Sequence, residues 1–350
     1  MYSCETTEAN MEVSRVPIDD RAWREFTSAH PDATPFHLPA WAALIAECYR
    51  FQAFALTVRG PDGEILGGIP TVAVRFPLAG SRWVSLPFTD SCPVLARPDV
   101  VVEDVIVALE EYARTSDISE LEIRSSLPTA DGVYPVDVGY EHVVELPPDP
   151  SDLHPQRNFR QHRNQARARG VQVSRGNGAD DVASFYRLHT LTRRRLGVPV
   201  QPRRFFDLLQ ERLLEPGGGF IATATLDGDV LAAAVYLVHN ATVVAKYQAS
   251  DPSQRETGAG HLMHWQVMTA ACAEGRRTYE LGRTDSSAEG LRVFKTRMGA
   301  VETPLVYTHI ARRPPSDKRP SVGSLSQRVI RSSPTWVCRA LGEAFYRWTA

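Results

Sequence analysis

The spacing of apolar residues changes repeatedly along this chain, and each change marks an element. Residues 12–17 read as a short strand, 19–30 as a helix with Asp19 as its N-cap, and 39–49 as a second helix. Pro39 suits a first helical turn, and Ala40-Trp-Ala-Ala-Leu-Ile-Ala-Glu-Cys-Tyr49 is rich in strong helix formers. Apolar runs at 53–59 and 65–76 flank Gly60-Pro-Asp-Gly63, a hairpin signal. A strand near 82–86, a helix over 101–115 and strands at 120–124 and 142–146 complete the first half.

Leu146-Pro-Pro-Asp-Pro-Ser-Asp152 interrupts the pattern and predicts a domain boundary. A basic helix over 155–169 follows, stopped by Gly170. The earlier order then recurs: a strand at 171–174, helices over 180–196 and 201–214, and strands at 219–226 and 230–239 turning at Asp227-Gly228. After these come a strand at 242–249, a helix over 260–274, a strand at 278–281, a short helix over 289–298 and a strand at 305–311. The halves share this order without clear sequence identity, so the repeat is architectural. The expected fold class is α+β, with two subdomains, 12–150 and 151–312, each a mixed, largely antiparallel sheet flanked by helices. A tail, 313–350, begins with the Pro-rich segment 314–320 and ends in a helix carrying Trp336, Leu341, Phe345 and Trp348. That helix is expected to dock on the body; pairing with another chain or resting on a membrane surface are the alternatives.

Composition narrows the classes. Of 350 residues 43% are apolar, ordinary for a globular protein, and no run of 18 apolar residues occurs to span a membrane. The first eight residues lack the basic and apolar regions of a signal peptide. Five scattered cysteines, with no CxxC or His/Cys cluster, predict reduced thiols in the cytoplasm and no metal site. Residues 1–150 hold 10 basic and 24 acidic side chains, and residues 151–350 hold 29 and 17. The two halves therefore either complement each other or present the second to a polyanion.

Only three of the 39 basic residues are lysines, Lys246, Lys295 and Lys318. A lysine that persists among arginines marks a place for a compact charge whose pKa can move. Lys318 lies in the Pro/Ser-rich tail, whereas Lys295 lies in Gly290-Leu-Arg-Val-Phe-Lys-Thr-Arg-Met-Gly299.

Several strings belong together: Thr34-Pro-Phe-His-Leu-Pro-Ala-Trp41, Leu86-Pro-Phe-Thr-Asp-Ser-Cys-Pro93, the basic segment from Arg157 to Val173, Tyr247-Gln-Ala-Ser-Asp251, and Tyr279-Glu-Leu-Gly-Arg-Thr-Asp285 followed by Phe294-Lys295. In this order they resemble the Fem-type aminoacyltransferases and their relatives, over residues 12–312 and most strongly over 240–300. The resemblance implies two tandem subdomains of the acetyl-CoA-dependent N-acetyltransferase (GNAT) fold and transfer of an acyl or aminoacyl group to an amine. It implies charged tRNA as donor partner, a peptide or other small amine as acceptor, and a role in peptidoglycan or natural-product biosynthesis. Peptidoglycan members often insert a coiled-coil pair; no heptad stretch occurs here, so the chain resembles the compact members.

Phe294-Lys295 matches the Phe-Lys pair of that family, whose lysine is thought to stabilise the oxyanion formed when an amine attacks an ester or thioester carbonyl. The alternatives for Lys295 are binding of a substrate carboxylate or phosphate, and a solvated helix face. No Ser/His/Asp series or paired carboxylates stand out; Asp90, Asp251 and Asp285 are candidate bases or turn caps. Lys246, Tyr247, Asp90, Arg283, Asp285 and Trp41 are the candidate substrate-binding residues, with Tyr186 and Trp265 as further aromatics for an acceptor cleft or for the core. Arg255-Glu-Thr-Gly-Ala-Gly260 before a helix fits the Arg-x-x-Gly-x-Gly pattern that holds a coenzyme A pyrophosphate, making Arg255, Gly258 and Gly260 candidates for a phosphate of acyl-CoA or of a tRNA end; a plain glycine loop starting a helix is the alternative. Arg160, Arg163 and Arg167 fall on one helical face and are candidates for the same task, with Arg193–Arg195, Arg203 and Arg204 nearby in sequence. Their alternative is pairing with the acidic first half. No bound cofactor is expected: the donor, aminoacyl-tRNA or acyl-CoA, is a co-substrate. A non-catalytic binding protein on the same fold is the alternative of another class.

Overall fold

The computed structural model describes residues 11–76, 80–315 and 324–346. Cys4, Lys318 and Trp348 lie outside them, as does the side chain of Arg255. The chain forms two units, Met1–Asp137 with Val306–Pro315, and Val138–Leu305 with Ser316–Ala350.

The first unit opens with β1 (Glu12–Pro17), α1 (Arg21–Ala29) and α2 (Pro39–Tyr49). The α1 N-cap is Asp20 rather than Asp19; its carboxylate accepts from the Trp23 amide at 3.0 Å. An antiparallel meander follows, β2 (Gln52–Arg59), β3 (Ile65–Phe76) and β4 (Gly80–Val84), with β5 (Leu95–Ala96) on β3. Next come α3 (Val102–Thr115) and β6 (Glu120–Ile123), which pairs in parallel with β4. The core joins Phe54, Leu56, Val58 and Trp83 of the sheet to Val105, Leu109 and Ala113 of α3.

β7 (Val133–Glu145) carries the chain into the second unit. There α4 (Arg157–Ala168), β8 (Gln172–Gly176), α5 (Ala179–Leu196) and α6 (Arg203–Leu209) lead to β9 (Gly219–Leu226), β10 (Asp229–His239) and β11 (Thr242–Ser250). α7 (Ala259–Ala273), β12 (Thr278–Glu280), α8 (Glu289–Arg297), β13 (Val301–Ala311), α9 (Ser324–Ser332) and α10 (Thr335–Phe345) complete the chain. The sheet of this unit runs β7-β12-β11-β10-β9-β8, and only β11–β12 is parallel. One face packs on α7 through Ala232, Ala234, Tyr236, Leu262, Val267 and Met268. Both sheets are mixed, mostly antiparallel and flanked by helices, the α+β class expected from the pattern.

In each unit a parallel pair is followed by one antiparallel strand. The end strands are exchanged along the chain: β12 pairs with β7, and β6 pairs with the last residues of β13. The contact division consequently falls at Asp137/Val138, inside β7, instead of in the Pro-rich segment near 150. The helix expected over 201–214 ends at Leu209 and continues as a π-type turn, Gln210–Leu214. The terminal helices dock on the second unit: Cys338 Sγ donates to Val198 O at 3.4 Å, and Glu343 accepts the Arg203 amide at 3.1 Å.

Candidate active site

A fork in the second sheet collects most of the sequence candidates. β11 and β12 pair only over Thr242–Val244 and Thr278–Glu280, after which β11 runs on to Ser250 beside β10 and away from β12. Lys246 sits where β11 carries one residue more than β10, since Val235 faces Tyr247 while Tyr236 faces Ala245. Such a β-bulge resets the alternation of side chains. Ala245 and Gln248 therefore both reach the α7 side, where Gln248 Oε1 lies 3.1 Å from His264 Nε2. Tyr247 turns to the other face, into edge contacts with His189, Phe205 and Phe206. Lys246 Nζ lies 5.5 Å from the Tyr247 ring centroid.

Behind the fork lies a buried polar cluster that sequence reasoning missed. His264 of α7 meets Tyr279 Oη at 2.6 Å and Tyr236 Oη at 3.2 Å through Nδ1. With the Gln248 carbonyl oxygen on Nε2, the consistent arrangement is a neutral imidazole protonated at Nε2 that accepts from Tyr279. Burial, with smaller pushes from His261 and Lys295, drives the His264 pKa down to about 3. Burial also raises both tyrosines, so all three groups are neutral near pH 7.

Lys295 is the buried residue of α8, only 2% exposed. Its Nζ donates to Gly282 O at 2.8 Å, on the segment that leaves β12. The solvated-face alternative is thereby excluded. His142 of β7, fully buried, joins the same neighbourhood: its Nε2 lies 2.9 Å from Glu302 Oε2 and its Nδ1 3.4 Å from Thr284 Oγ1. Burial and then the Lys295 charge hold the His142 pKa below its ordinary value despite the carboxylate beside it. Arg292 grips Glu302 with two hydrogen bonds, at 2.9 and 2.6 Å, and holds its carboxyl down to about 2. Single histidines, far apart in sequence, gave no spacing signal for this cluster.

Phe294 lies over α7, its ring centroid 5.0 Å from His261 and 5.9 Å from His264. α4 crosses the start of α7 here. Gly258, the N-cap of α7 with φ 73°, leaves no room for a side chain: a Cβ would stand 2.2 Å from His162 O. A Cβ on Gly260, in contrast, would meet nothing within 4 Å. The first glycine of the Gly-x-Gly pair thus answers to helix packing, and the second leaves an open surface. Arg160 and Arg167 are exposed, and Arg163 lies 4.3 Å over the Trp265 ring. Among the described residues none of these three arginines has a carboxylate partner, and their mutual repulsion adds to burial in lowering the Arg163 pKa. Arg193, Arg194 and Arg203 are instead engaged within the unit, by Pro199 O, Ser333 O and Asp207.

Asp285 accepts from the Ser287 amide and hydroxyl, and Asp251 does the same with Ser253, so both cap turns. Arg283 is exposed. Tyr186 is buried, its hydroxyl on Gln201 O. Trp41 and Asp90 belong to the first unit. There Trp41 is fully buried with its Nε1 on Thr89 Oγ1 at 2.7 Å, and the Asp90 carbonyl accepts from Tyr307. Glu120, Glu122 and His309 also converge in that unit with a spacing a metal ion could use. Arg82 and Arg124 already neutralise the two carboxylates, which fits an ion-pair network better than a cation site.

Residues 155–295 match the model of the acetyltransferase (GNAT) domain. The crystal structure of FemX superposes with a TM-score of 0.68 at 16% identity, covering 84% of this chain and 96% of its own. The chain has a Fem-like, tandem GNAT fold. L-PGS from Bacillus licheniformis shares it with a TM-score of 0.53 at 12% identity over 78% of this chain and 87% of its own. A tandem GNAT protein from the clavulanic acid biosynthesis pathway gives 0.51 at 12% identity, over 87% and 100%. A comparison with curated protein sequences gives no match. The segment that matches the GNAT domain contains the fork, Lys246, Tyr247, His264 and Lys295.

Proposed function

We propose that the second unit is a cytoplasmic aminoacyltransferase that moves an aminoacyl group from a charged tRNA to an amine of a peptide, cell-wall precursor or natural product. The neutral amine attacks the ester carbonyl carbon, an oxyanion forms, the bond to the ribose oxygen breaks, and the proton released by the new amide passes to that oxygen through substrate or water. The observation that carries this reading is Lys295, a buried cation at the fork whose neighbouring imidazoles His142 and His264 are both held neutral. A positive charge held out of bulk solvent favours a developing oxyanion more than a ground-state carbonyl. Phe294 would pack behind it, Lys246 and Tyr247 would line the acceptor side, and Arg160, Arg163 and Arg167 would meet donor phosphates. Asp90, Arg283, Asp285 and Trp41 have no assigned step in this reading.

Acyl-CoA as donor is the second reading, favoured by the open surface at Gly260 beside the N-terminus of α7. Offering labelled aminoacyl-tRNAs and acyl-CoAs to the purified protein with a panel of amines separates the two. Amide formation from charged tRNA is the expected result. Transfer from CoA thioesters alone sinks the tRNA reading, and transfer from neither, with binding retained, points to a binding protein on this fold.

A further inference from the structure

The extended segment between α5 and α6 is held from outside by the terminal helices and from inside by two buried polar side chains. Three alternate carbonyls face the tail: Leu196 O accepts from Arg331 Nη2 at 3.3 Å, Val198 O from Cys338 Sγ at 3.4 Å, and Val200 O lies against Gly342. The last approach is so close that a Cβ on Gly342 would stand 1.8 Å from Val200 O. At the far end of the segment, the Arg203 amide donates to Glu343. Inside, Gln201 Oε1 lies 2.9 Å from His189 Nε2, with Gln201 3% and His189 4% exposed. The His189 ring then stacks on Phe185 and meets Tyr247 edge-on, at a centroid distance of 5.8 Å. Tyr247 directly follows the bulged Lys246 at the fork.

We propose that Gln201 and His189 are positioning residues through which α10 sets the bulged stretch of β11, and so the acceptor wall of the fork. The reasoning is mechanical. An extended segment has little rigidity of its own, and its backbone is fixed here by groups of α9 and α10. Gln201 transmits that position because a carbonyl acceptor fixes which nitrogen of His189 carries the proton, and with it the ring plane. The ring plane in turn sets the edge contact with Tyr247, whose side chain is on this face only because of the bulge. The terminal helices are on this account part of the catalytic unit. That this matters for catalysis rests on the transfer reading above; the physical coupling does not.

Full-length protein carrying 15N-labelled histidine tests the coupling without any substrate. Gln201→Leu should shift the His189 ring signals and speed amide exchange over 244–248 about tenfold, the equivalent of one lost buried hydrogen bond, with exchange over 335–345 unchanged. Gln201→Glu, which keeps the acceptor, should restore wild-type exchange. Gly342→Ala, which must displace Val200, should reproduce the Gln201→Leu effect at 244–248. Wild-type exchange over 244–248 in Gln201→Leu, whether or not Gly342→Ala folds, overturns the proposal. Neither measurement uses donor or acceptor, so a failed transfer assay and a failed coupling test are distinguishable.

Discussion

Replacing Gly258 by alanine separates two explanations of the Gly-x-Gly turn before α7. Gly258 has φ 73°, and an added Cβ would lie 2.2 Å from His162 O and 2.9 Å from His162 C. Both atoms are backbone of α4, so no side-chain rotation relieves the contact and the helix itself must retreat. The left-handed conformation costs a non-glycine residue about 1 kcal/mol. Overpacking adds roughly 1–3 kcal/mol, since α4 buries Phe159 and Ala166 in this contact. The expected loss is thus about 2–4 kcal/mol, summed from these two sources. Gly260→Ala is the control: it meets nothing within 4 Å and lies in the first turn of α7, so stability should hold or rise by up to about 1 kcal/mol. Urea unfolding of both variants, with amide exchange of α4 and α7 followed in parallel, gives the answer. If Gly258→Ala stays within about 0.5 kcal/mol of wild type, the size of an ordinary surface substitution, the packing argument is wrong and the glycine serves a ligand.

Three further outcomes follow. His189 and His264 are held down to about 3 and His261 to about 4, chiefly by burial, so the unfolded chain takes up protons first as pH falls. Stability should be complete above pH 6.5 and decline toward pH 4 by roughly 1.4 kcal/mol per pH unit for each group, read as urea midpoints, and a flat profile from pH 7 to 5 refutes the neutral-histidine assignment. Charge reversal of Arg160, Arg163 and Arg167 together should weaken binding of a phosphate-bearing donor and flatten its salt dependence by about three contacts; an unchanged salt slope removes α4 from donor binding. Trp41→Phe should cost about 1 kcal/mol through the lost hydrogen bond to Thr89 and leave transfer unchanged, whereas a raised acceptor KM would return Trp41 to the binding surface.

Elements with a single strong local signal were legible from sequence. Pro39 at a helix start, the Asp-Gly turns and the alternating runs around them gave α2 and both hairpins within a residue or two. The apolar pattern marks only five residues of β7, which spans thirteen, because Pro135, Asp137 and Gly139 mask its first half. The exchange of β7 and β13 was invisible for a related reason: local pattern shows that a strand exists, not which partner it finds. In the site, rarity and motif pointed to Lys295 and Phe294. His142, Glu302, His264 and Tyr236 come from β7, β13, α7 and β10 and converge only after folding. Their protonation is set by burial, which no spacing encodes.

In the proposed reaction Lys295 supplies the charge that stabilises the transition state of acyl transfer. Its site is nearly closed to solvent and its Nζ meets Gly282 O at 2.8 Å, a fit to a compact ammonium that a guanidinium fork cannot copy. Single-turnover transfer from charged tRNA to an amine acceptor by Lys295→Arg, with folding verified by urea unfolding, tests it directly. The expected rate is reduced about a hundredfold or more in a folded protein. A folded Lys295→Arg variant that transfers at near wild-type rate would contradict it.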